Sequence, residues 1–395
     1  MSDQFTETTS VSWFGRLRRS VGGILFGLIL LVGMVMLLFW NEGRAVTTAR
    51  SLAEGAGIVV SVSADAVNPA NEGKLVHVTG TVETQERLTD TAFGVTTSGV
   101  RLRRNVEMYQ WKETASSKTE TKLGGGEETV TTYSYSREWS SVPIGSSGFK
   151  QPDGHQNPPM NIESQSFQIS AAKLGAFDLQ ANVIGRIGGA RDVPVGPDVV
   201  NAVRVATGGN QPVSALDGRI YISYDPSRPR VGDYRIGYSL VPLGPISVVG
   251  EQQGTSFDAY QTVAGDKLLM VHNGISPAEA MFADAVTGNT VLTWVLRIVG
   301  LVFLGVAFGL LLAPIGVVAD VIPFLGRIVR MGTGLVAFAL AALVGSITIA
   351  LAWFWYRPVL ALVILIVGTG IFYGVSYLGK KREAQGGAEA AAEGG

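Results

Sequence analysis

Residues 21–40 read VGGILFGLILLVGMVMLLFW, twenty positions without a charge. As a helix rising about 1.5 Å per residue, this run is roughly 30 Å long, one hydrocarbon thickness. Arg16, Arg18 and Arg19 precede it, and Asn41, Glu42 and Arg44 follow. The positive-inside rule then puts the N terminus in the cytoplasm. A cleaved signal peptide ending near Val46 is the competing reading, because Gly43 and Ala45 mimic a small-residue cleavage pattern. The apolar run exceeds the roughly 7–15 residues of a signal h-region, so a retained anchor is expected.

Working outward, three further apolar runs lie at 291–313, 332–352 and 358–378. If each crosses the bilayer, the segment 314–331 with Arg327 and Arg330 returns to the cytoplasmic side. So do Lys380, Lys381 and Arg382, which agrees with the charge rule. Trp353, Trp355 and Tyr356 fall where an outer aromatic belt belongs. Pro314 and Pro323 make 314–331 a cytoplasmic or interfacial loop rather than a fifth span. Arg297, about two turns into the second run, either snorkels outward or faces the bundle. Small residues recur at i, i+4 in Gly23/Gly27, Gly305/Gly309 and Gly370/Gly374, spacings that let helix backbones approach closely.

Residues 41–290 differ in kind. After a helical exit at 44–58, period-two alternation dominates: Val76, Val78 and Val82 against His77, Thr79 and Thr81; Ile220, Ile222 and Tyr224; Tyr234, Ile236, Tyr238 and Leu240. Each reads as a half-buried strand. The runs 106–112 and 129–139 predict a β-hairpin whose polar stretch 113–128, with Gly124-Gly125-Gly126, is a solvated tip. Residues 151–159 read as loop, and 171–187 as holding a short helix. The strings 76–80 and 246–250 are weakly alike, each a strand ending at glycine.

The expected fold is therefore a multi-pass α-helical membrane protein with a large β-rich (α+β) extracytoplasmic domain inserted between span 1 and spans 2–4. Its parts are a cytoplasmic segment 1–20, a span 21–40, the domain 41–290, spans 291–313, 332–352 and 358–378 around the loop 314–331, and a disordered cytoplasmic tail 379–395.

Chemistry is sparse. The chain has 395 residues, no cysteine, three histidines and a formal net charge of −1. Thiolate metal sites, disulfides and a cysteine nucleophile are excluded, and no field for nucleic acid is expected. His77 and His272 lie in strands and read as outward polar residues. His155, with Asn157 in the loop Gly154-His155-Gln156-Asn157-Pro158, is the best polar candidate site. No two histidines have metal-ligand spacing, and there is no nucleophile elbow or phosphate-binding lysine loop. Arg101, Arg103 and Arg104 read as a solvated strand edge. No catalytic residue, cofactor or metal is expected.

Several strings resemble a known family. They are Asn41-Glu42-Gly43-Arg44-Ala45-Val46 continuing to Glu54-Gly55; Asn71-Glu72-Gly73-Lys74-Leu75-Val76-His77; and Val106-Glu107-Met108-Tyr109-Gln110-Trp111. Tyr133-Ser134-Tyr135, Glu138-Trp139, Gly154-His155 with Asn157-Pro158, and Tyr356-Arg357-Pro358 complete the set. Over about residues 12–380 the chain resembles the LUMA family (transmembrane protein 43). The resemblance implies a protein of the endoplasmic reticulum and inner nuclear membrane if eukaryotic; a bacterial chain is expected in the inner membrane, and the charge rule puts both termini in the cytoplasm. The resemblance also implies a non-enzymatic scaffold organising membrane or envelope complexes. Animal members are organisers that bind lamins and emerin and self-associate. The expected partners are the lipid bilayer, other membrane proteins and further copies of the chain. Two alternatives stay open: a transport or channel component built on Arg297 and the bent segment 314–331, and an extracytoplasmic ligand-binding or hydrolytic domain built on His155.

Overall fold

The computed structural model describes residues 4–209 and 211–359, together with 362–363, 366–367 and 369–370. The strands, in chain order, are β1 (Gln4–Val11), β2 (Val60–Val62), β3 (Leu75–Glu83), β4 (Leu88–Asp90), β5 (Val95–Thr97), β6 (Arg101–Thr121), β7 (Glu127–Ser140), β8 (Gln165–Gln168), β9 (Ala172–Leu174), β10 (Phe177–Leu179), β11 (Arg191–Val193), β12 (Val213–Leu216), β13 (Arg219–Ile222), β14 (Tyr234–Val241), β15 (Pro245–Gln253), β16 (Ser256–Asp258), β17 (Tyr260–Gln261), β18 (Lys267–Leu268) and β19 (Met270–Asn273). The helices are α1 (Trp13–Ile58), α2 (Ala181–Ile184), α3 (Pro197–Ala206), α4 (Ala278–Ala319) and α5 (Pro323–Tyr356).

These elements form two compact units. One contains the residues up to Ser12, Arg50–Lys122 and Gly126–Val286. The other contains Trp13–Ala49, Leu123–Gly125 and the residues from Thr287 onward.

The first unit is β-rich. An eight-stranded sheet runs β1-β7-β6-β14-β13-β12, with β11 on β14 and β8 on β6. The second sheet closes on itself: β15, β16, β10, β9 and β3 pair in turn, and β3 returns to β15. Alternation explains both. Along β6, Leu102, Val106 and Met108 are fully buried, as are Ile220 of β13 and Ile236 of β14. Val76, Val78, Leu174, Phe177, Ile246, Val248 and Phe257 of the closed ring share the same core. Each such apolar side chain contributes about 1.5–3 kcal/mol by leaving water. The opposite faces of β3 and β15 are covered too. Leu75 and Val249 pack with Leu52, Leu268, Met281 and Phe282. The alike strings 76–80 and 246–250 are antiparallel partners, with Val78 opposite Val248 and Gly80 opposite Ile246.

The hairpin of β6 and β7 is longer than the expected one. Its ladder continues to Thr121↔Glu127, so most of 113–128 is strand. Cross-strand hydroxyl pairs, Ser117–Thr131 and Thr119–Thr129, both at 2.9 Å, hold the polar part where no apolar face exists.

In the second unit, three helices are long and apolar enough to cross a membrane: α1, α4 and α5. They expose large apolar side chains over much of their surface, among them Leu25, Ile29, Phe338 and Leu335, as membrane spans do. Leu38, Leu304 and Ala341 form their shared core.

The expected fold class needs correction here. Among the described residues there are three apolar helices, not four, beside a β-rich unit containing a closed ring of strands. The described residues therefore do not form the expected multi-pass arrangement with spans 2–4, and the expected span 358–378 lies largely outside them. The helices also run past the expected span limits. α1 continues unbroken from Trp13 to Ile58, because nothing in 41–58 breaks a helix. The expected loop 314–331 is mostly helical: α4 accommodates Pro314 and runs to Ala319, and α5 starts with Pro323 in its first turn, where the missing N–H is no loss.

Candidate functional site

A concentrated buried polar network lies in the helical unit, at residues 41–44. Asn41 and Glu42 are 0% and 2% exposed. Arg297 of α4 grips Glu42 with two parallel bonds, Nε to Oε1 at 2.6 Å and Nη2 to Oε2 at 2.8 Å. The indole Nε1 of Trp353, from α5, donates to Glu42 Oε2 at 2.8 Å. The Arg297 guanidinium also lies 4.8 Å from the centre of the Trp294 ring. One carboxylate thus ties α1 to both other helices, in the bidentate geometry that makes such bonds strong.

Around it, Asn41 Nδ2 donates to the Thr293 carbonyl at 3.1 Å. Arg44 donates to Asn289 Oδ1 at 2.9 Å, to Thr293 Oγ1 at 2.9 Å and to Asn41 Oδ1 at 3.3 Å. Asn289 returns a bond to the Ala45 carbonyl at 3.0 Å. Gly43 lies against Tyr356: a Cβ there would come within 2.5 Å of the ring carbon Cζ. Tyr356 in turn packs on Phe39 at 5.4 Å. Each residue of Asn41-Glu42-Gly43-Arg44 thus has its own contact on α4 or α5.

The other end of these helices carries a second cluster. Arg16 Nη2 and Arg330 Nη1 both donate to Asp320 Oδ2 at 2.5 Å. Asp320 is fully buried, in the break between α4 and α5.

The β-rich unit holds a buried pair of its own. Arg104 donates to both oxygens of Asp90, at 2.7 and 2.6 Å, and Tyr238 OH donates to Oδ2 at 2.8 Å. Arg104 is buried, not a solvated strand edge as expected, because β8 and the β4–β5 hairpin cover it. Burial, and secondarily the bond to Asp90, pushes the Tyr238 phenol above its ordinary range. Arg104, Phe93, Ile222, Tyr234, Asn161 and Thr207 line part of a cavity of 460 Å³.

The expected polar site behaves differently from its outline in sequence. His155 is 3% exposed, with its ring stacked on Tyr135 at 4.0 Å and edge-on to Trp111 at 4.7 Å. Its Nδ1 donates to the Gln151 carbonyl at 2.8 Å. Asn157 binds both backbone groups of Trp111, at 2.7 and 2.9 Å, and the Ile144 carbonyl at 3.1 Å. The structure brings His155 and Asn157 together as fasteners of the 144–158 loop on β6. His77 is buried rather than outward, because the second face of β3 is covered; Nε2 donates to the Ser276 carbonyl at 2.9 Å and Nδ1 accepts from Ser61 Oγ at 3.1 Å. His272 is partly exposed, 3.9 Å from Asp284.

Of the expected packing glycines, Gly27 is in close contact: a Cβ there would come within 3.1 Å of both the Ala307 carbonyl and Leu310. Gly23 faces Leu310 more loosely. Gly305, Gly309 and Gly370 have open space where a Cβ would go, and Gly374 lies outside the described residues. Tight contacts that the i, i+4 spacing does not mark include Gly300 against Leu38 and Gly345 against Leu301, beside Gly43 against Tyr356. No site role is assigned from sequence to Glu42, Trp353, Asn289, Thr293 or Asp320, although Glu42 and Trp353 are noted as flanking the apolar runs. A usable signal exists for one: antiparallel spans align Glu42, just past the end of the first run, with Arg297, just inside the second.

A family model for transmembrane protein 43 matches residues 108–358. Transmembrane protein 43 of Homo sapiens is 34% identical over 361 residues, covering 88% of this chain and 88% of that protein. The Mus musculus protein is 35% identical over 363 residues with the same coverage. The chain belongs to the transmembrane protein 43 family. A more distant relative, the transmembrane protein 43 homolog of Drosophila melanogaster, is 30% identical over 357 residues, 87% of this chain and 91% of its own. No solved structure matches the chain. The LUMA resemblance drawn from the quoted strings is therefore correct. In this member of the transmembrane protein 43 family, two of those strings have clear structural roles. Asn41-Glu42-Gly43-Arg44 joins the three helices. In the string 106–111, Val106 and Met108 fill the core, Gln110 is fully buried and bonds Val142 and Ile144, and Trp111 receives His155 and Asn157.

Proposed function

We propose that this protein is a non-enzymatic membrane scaffold: its helices form a locked anchor, and its β-rich unit presents surfaces to other membrane proteins and to further copies of the chain. The observation that carries the reading is the Glu42–Arg297–Trp353 network. The buried charges at the helix ends are engaged in ion pairs, through Glu42–Arg297 and Arg16–Asp320–Arg330, which favours a fixed anchor over a transport pathway. Arg297, the motive for the transport alternative, faces the bundle and is held by a carboxylate. The ring of His155, the motive for the hydrolase alternative, is covered by Tyr135 and Trp111 and has Nδ1 committed to the backbone. The orientation with the N terminus on the cytoplasmic face is supported by the arginines: Arg16 and Arg330 meet at one end of the helices, with Arg18, Arg19 and Arg327 exposed near them in sequence.

The test is crosslinking of the full chain in its native membrane, followed by identification of the adducts. Discrete complexes with membrane proteins or with a second copy are expected. Recovery of monomer alone, at crosslinker doses that trap a known oligomer in the same membrane, would refute the scaffold role.

A further inference from the structure

The basic cluster at 101–104, expected along one solvated strand edge, divides between the two faces of β6. Arg104 turns inward to Asp90. Arg101 and Arg103 share the outer face, about 7 Å apart along the strand. Cross-strand register sets their neighbours. Ser166 of β8 and Ser239 of β14 flank Arg103 directly, and Gln168 and Val241 flank Arg101. Arg101, Arg103, Ser164, Ser166, Ala190 and Ser239 line a cavity of 510 Å³, and no carboxylate is among its described lining residues. Donors exceed acceptors there. Arg101 is held in place, its Nε donating to Gln168 Oε1 at 3.0 Å and its Nη2 to the Gly185 carbonyl at 3.0 Å, which leaves Nη1 unengaged. The exposed Arg103 guanidinium has no hydrogen-bond or ion-pair partner among the described residues. Ser239 Oγ accepts from Asn105 Nδ2 at 3.2 Å, so its own proton is free to donate.

We propose that this cavity binds a phosphate monoester. Two guanidinium groups two residues apart on one strand face can close on a single anion, and their planar forks match phosphate oxygens. The two oxygens of a carboxylate leave several of these donors unmatched; the terminal oxygens of a phosphate take them. A neutral or cationic ligand leaves two arginines side by side with their charge uncompensated. One carboxylate bounds the site. Asp192 of β11 lies directly opposite Ser239, so a row Ser166–Arg103–Ser239–Asp192 crosses four strands. Asp192 forms no ion pair with Arg103 and lines a separate cavity of 220 Å³ with Glu107. It opposes an anion at Arg103 without neutralising the arginine. The phosphate belongs to a soluble ester or to a lipid headgroup of the phosphatidic acid kind, and the same donors serve both. This reading is independent of the scaffold role, since it requires no partner protein.

The test is calorimetric titration of the full chain in phosphatidylcholine nanodiscs at constant ionic strength. The probes are inorganic phosphate and dihexanoyl phosphatidic acid, with chloride as the control and empty nanodiscs as the blank. Saturable binding of phosphate is expected, weakened roughly tenfold by Arg103→Gln. The Arg103 side chain has no partner in the fold, so the thermal midpoint of that variant should stay where it is. Asp192→Asn should tighten binding several-fold, a gain that a misfolded chain cannot produce. Tighter binding of dihexanoyl phosphatidic acid than of inorganic phosphate supports the site with a lipid headgroup as its occupant; the reverse order supports it with a soluble ester. No saturation beyond the chloride control, or an affinity unchanged in either variant, overturns the proposal.

Discussion

The pair Asp90–Arg104 in the β-rich unit and the pair Glu42–Arg297 in the helical unit are built from the same parts. In each, a buried carboxylate accepts two bonds from one guanidinium and a third from an aromatic donor, Tyr238 or Trp353. In each, the guanidinium also sits over a ring, Phe93 at 4.6 Å or Trp294 at 4.8 Å. They differ in what they join. Asp90 and Arg104 are close in the chain, and Arg104 has further partners in the Glu163 carbonyl and Gln165 beside a cavity. Glu42 and Arg297 lie on different helices, and a third helix supplies the indole. The same chemistry ties β4 to β6 and β14 within one unit and joins the long helices in the other.

The strongest test of this contrast is Glu42→Ala. It leaves Arg297 buried and unpaired and the Trp353 indole without an acceptor, and should cost about 3–5 kcal/mol. Thermal unfolding in nanodiscs measures it. The double replacement Glu42→Leu with Arg297→Leu should recover most of the loss, because no uncompensated charge remains. If the single variant is no worse than breaking the exposed Lys112–Glu138 pair, worth about 0–1 kcal/mol, the helical pair is not a lock.

Asp90→Ala should cost less, about 2–3 kcal/mol, because Arg104 keeps other acceptors and the cavity admits water. Hydrogen exchange should show lost protection around β4 and β5 with the helices unchanged; loss spreading to the helices would erase the distinction between local and long-range pairing. Gly43→Ala should cost about 1–3 kcal/mol by pressing on Tyr356, and the cost should shrink in a Tyr356→Ala background. Tyr238→Phe should cost about 1 kcal/mol. Burial raises the Tyr238 phenol, so its contribution is complete below the ordinary tyrosine value and declines as pH rises beyond about 10. Denaturant midpoints of the two proteins should therefore converge only in strong base. The smallest effect belongs to Gly305→Ala, which meets open space and should stabilise α4 by up to about 1 kcal/mol.

How much of this could be read beforehand follows from the range of each signal. The run 21–40 declares a span because twenty uncharged residues need no partner to be recognised. Alternation in 76–82 and 234–240 declares strands because one face is apolar. The reading stops at Lys112 because 113–121 is polar on both faces, and only pairing with β7 makes it strand. His77 was misplaced because alternation locates one covered face and is blind to a second. Among the candidate site residues, Arg297 could be singled out by its depth in an apolar run, but not its partner on another helix. Glycine spacing succeeded at Gly27 and failed at Gly305 and Gly309, since i, i+4 repeats say nothing about which side of a helix has a neighbour.

The closed ring of strands also constrains how the chain is made. Val78 pairs with Val248, so at a synthesis rate of roughly 5–20 residues per second β3 leaves the ribosome about 10–30 seconds before its partner exists. Through that interval a strand built to be covered on both faces is an open edge, and such edges pair promiscuously. The nascent chain therefore passes through a window in which a chaperone, or the β4–β14 segment already synthesised, must occupy β15's place beside β3 until β15 arrives.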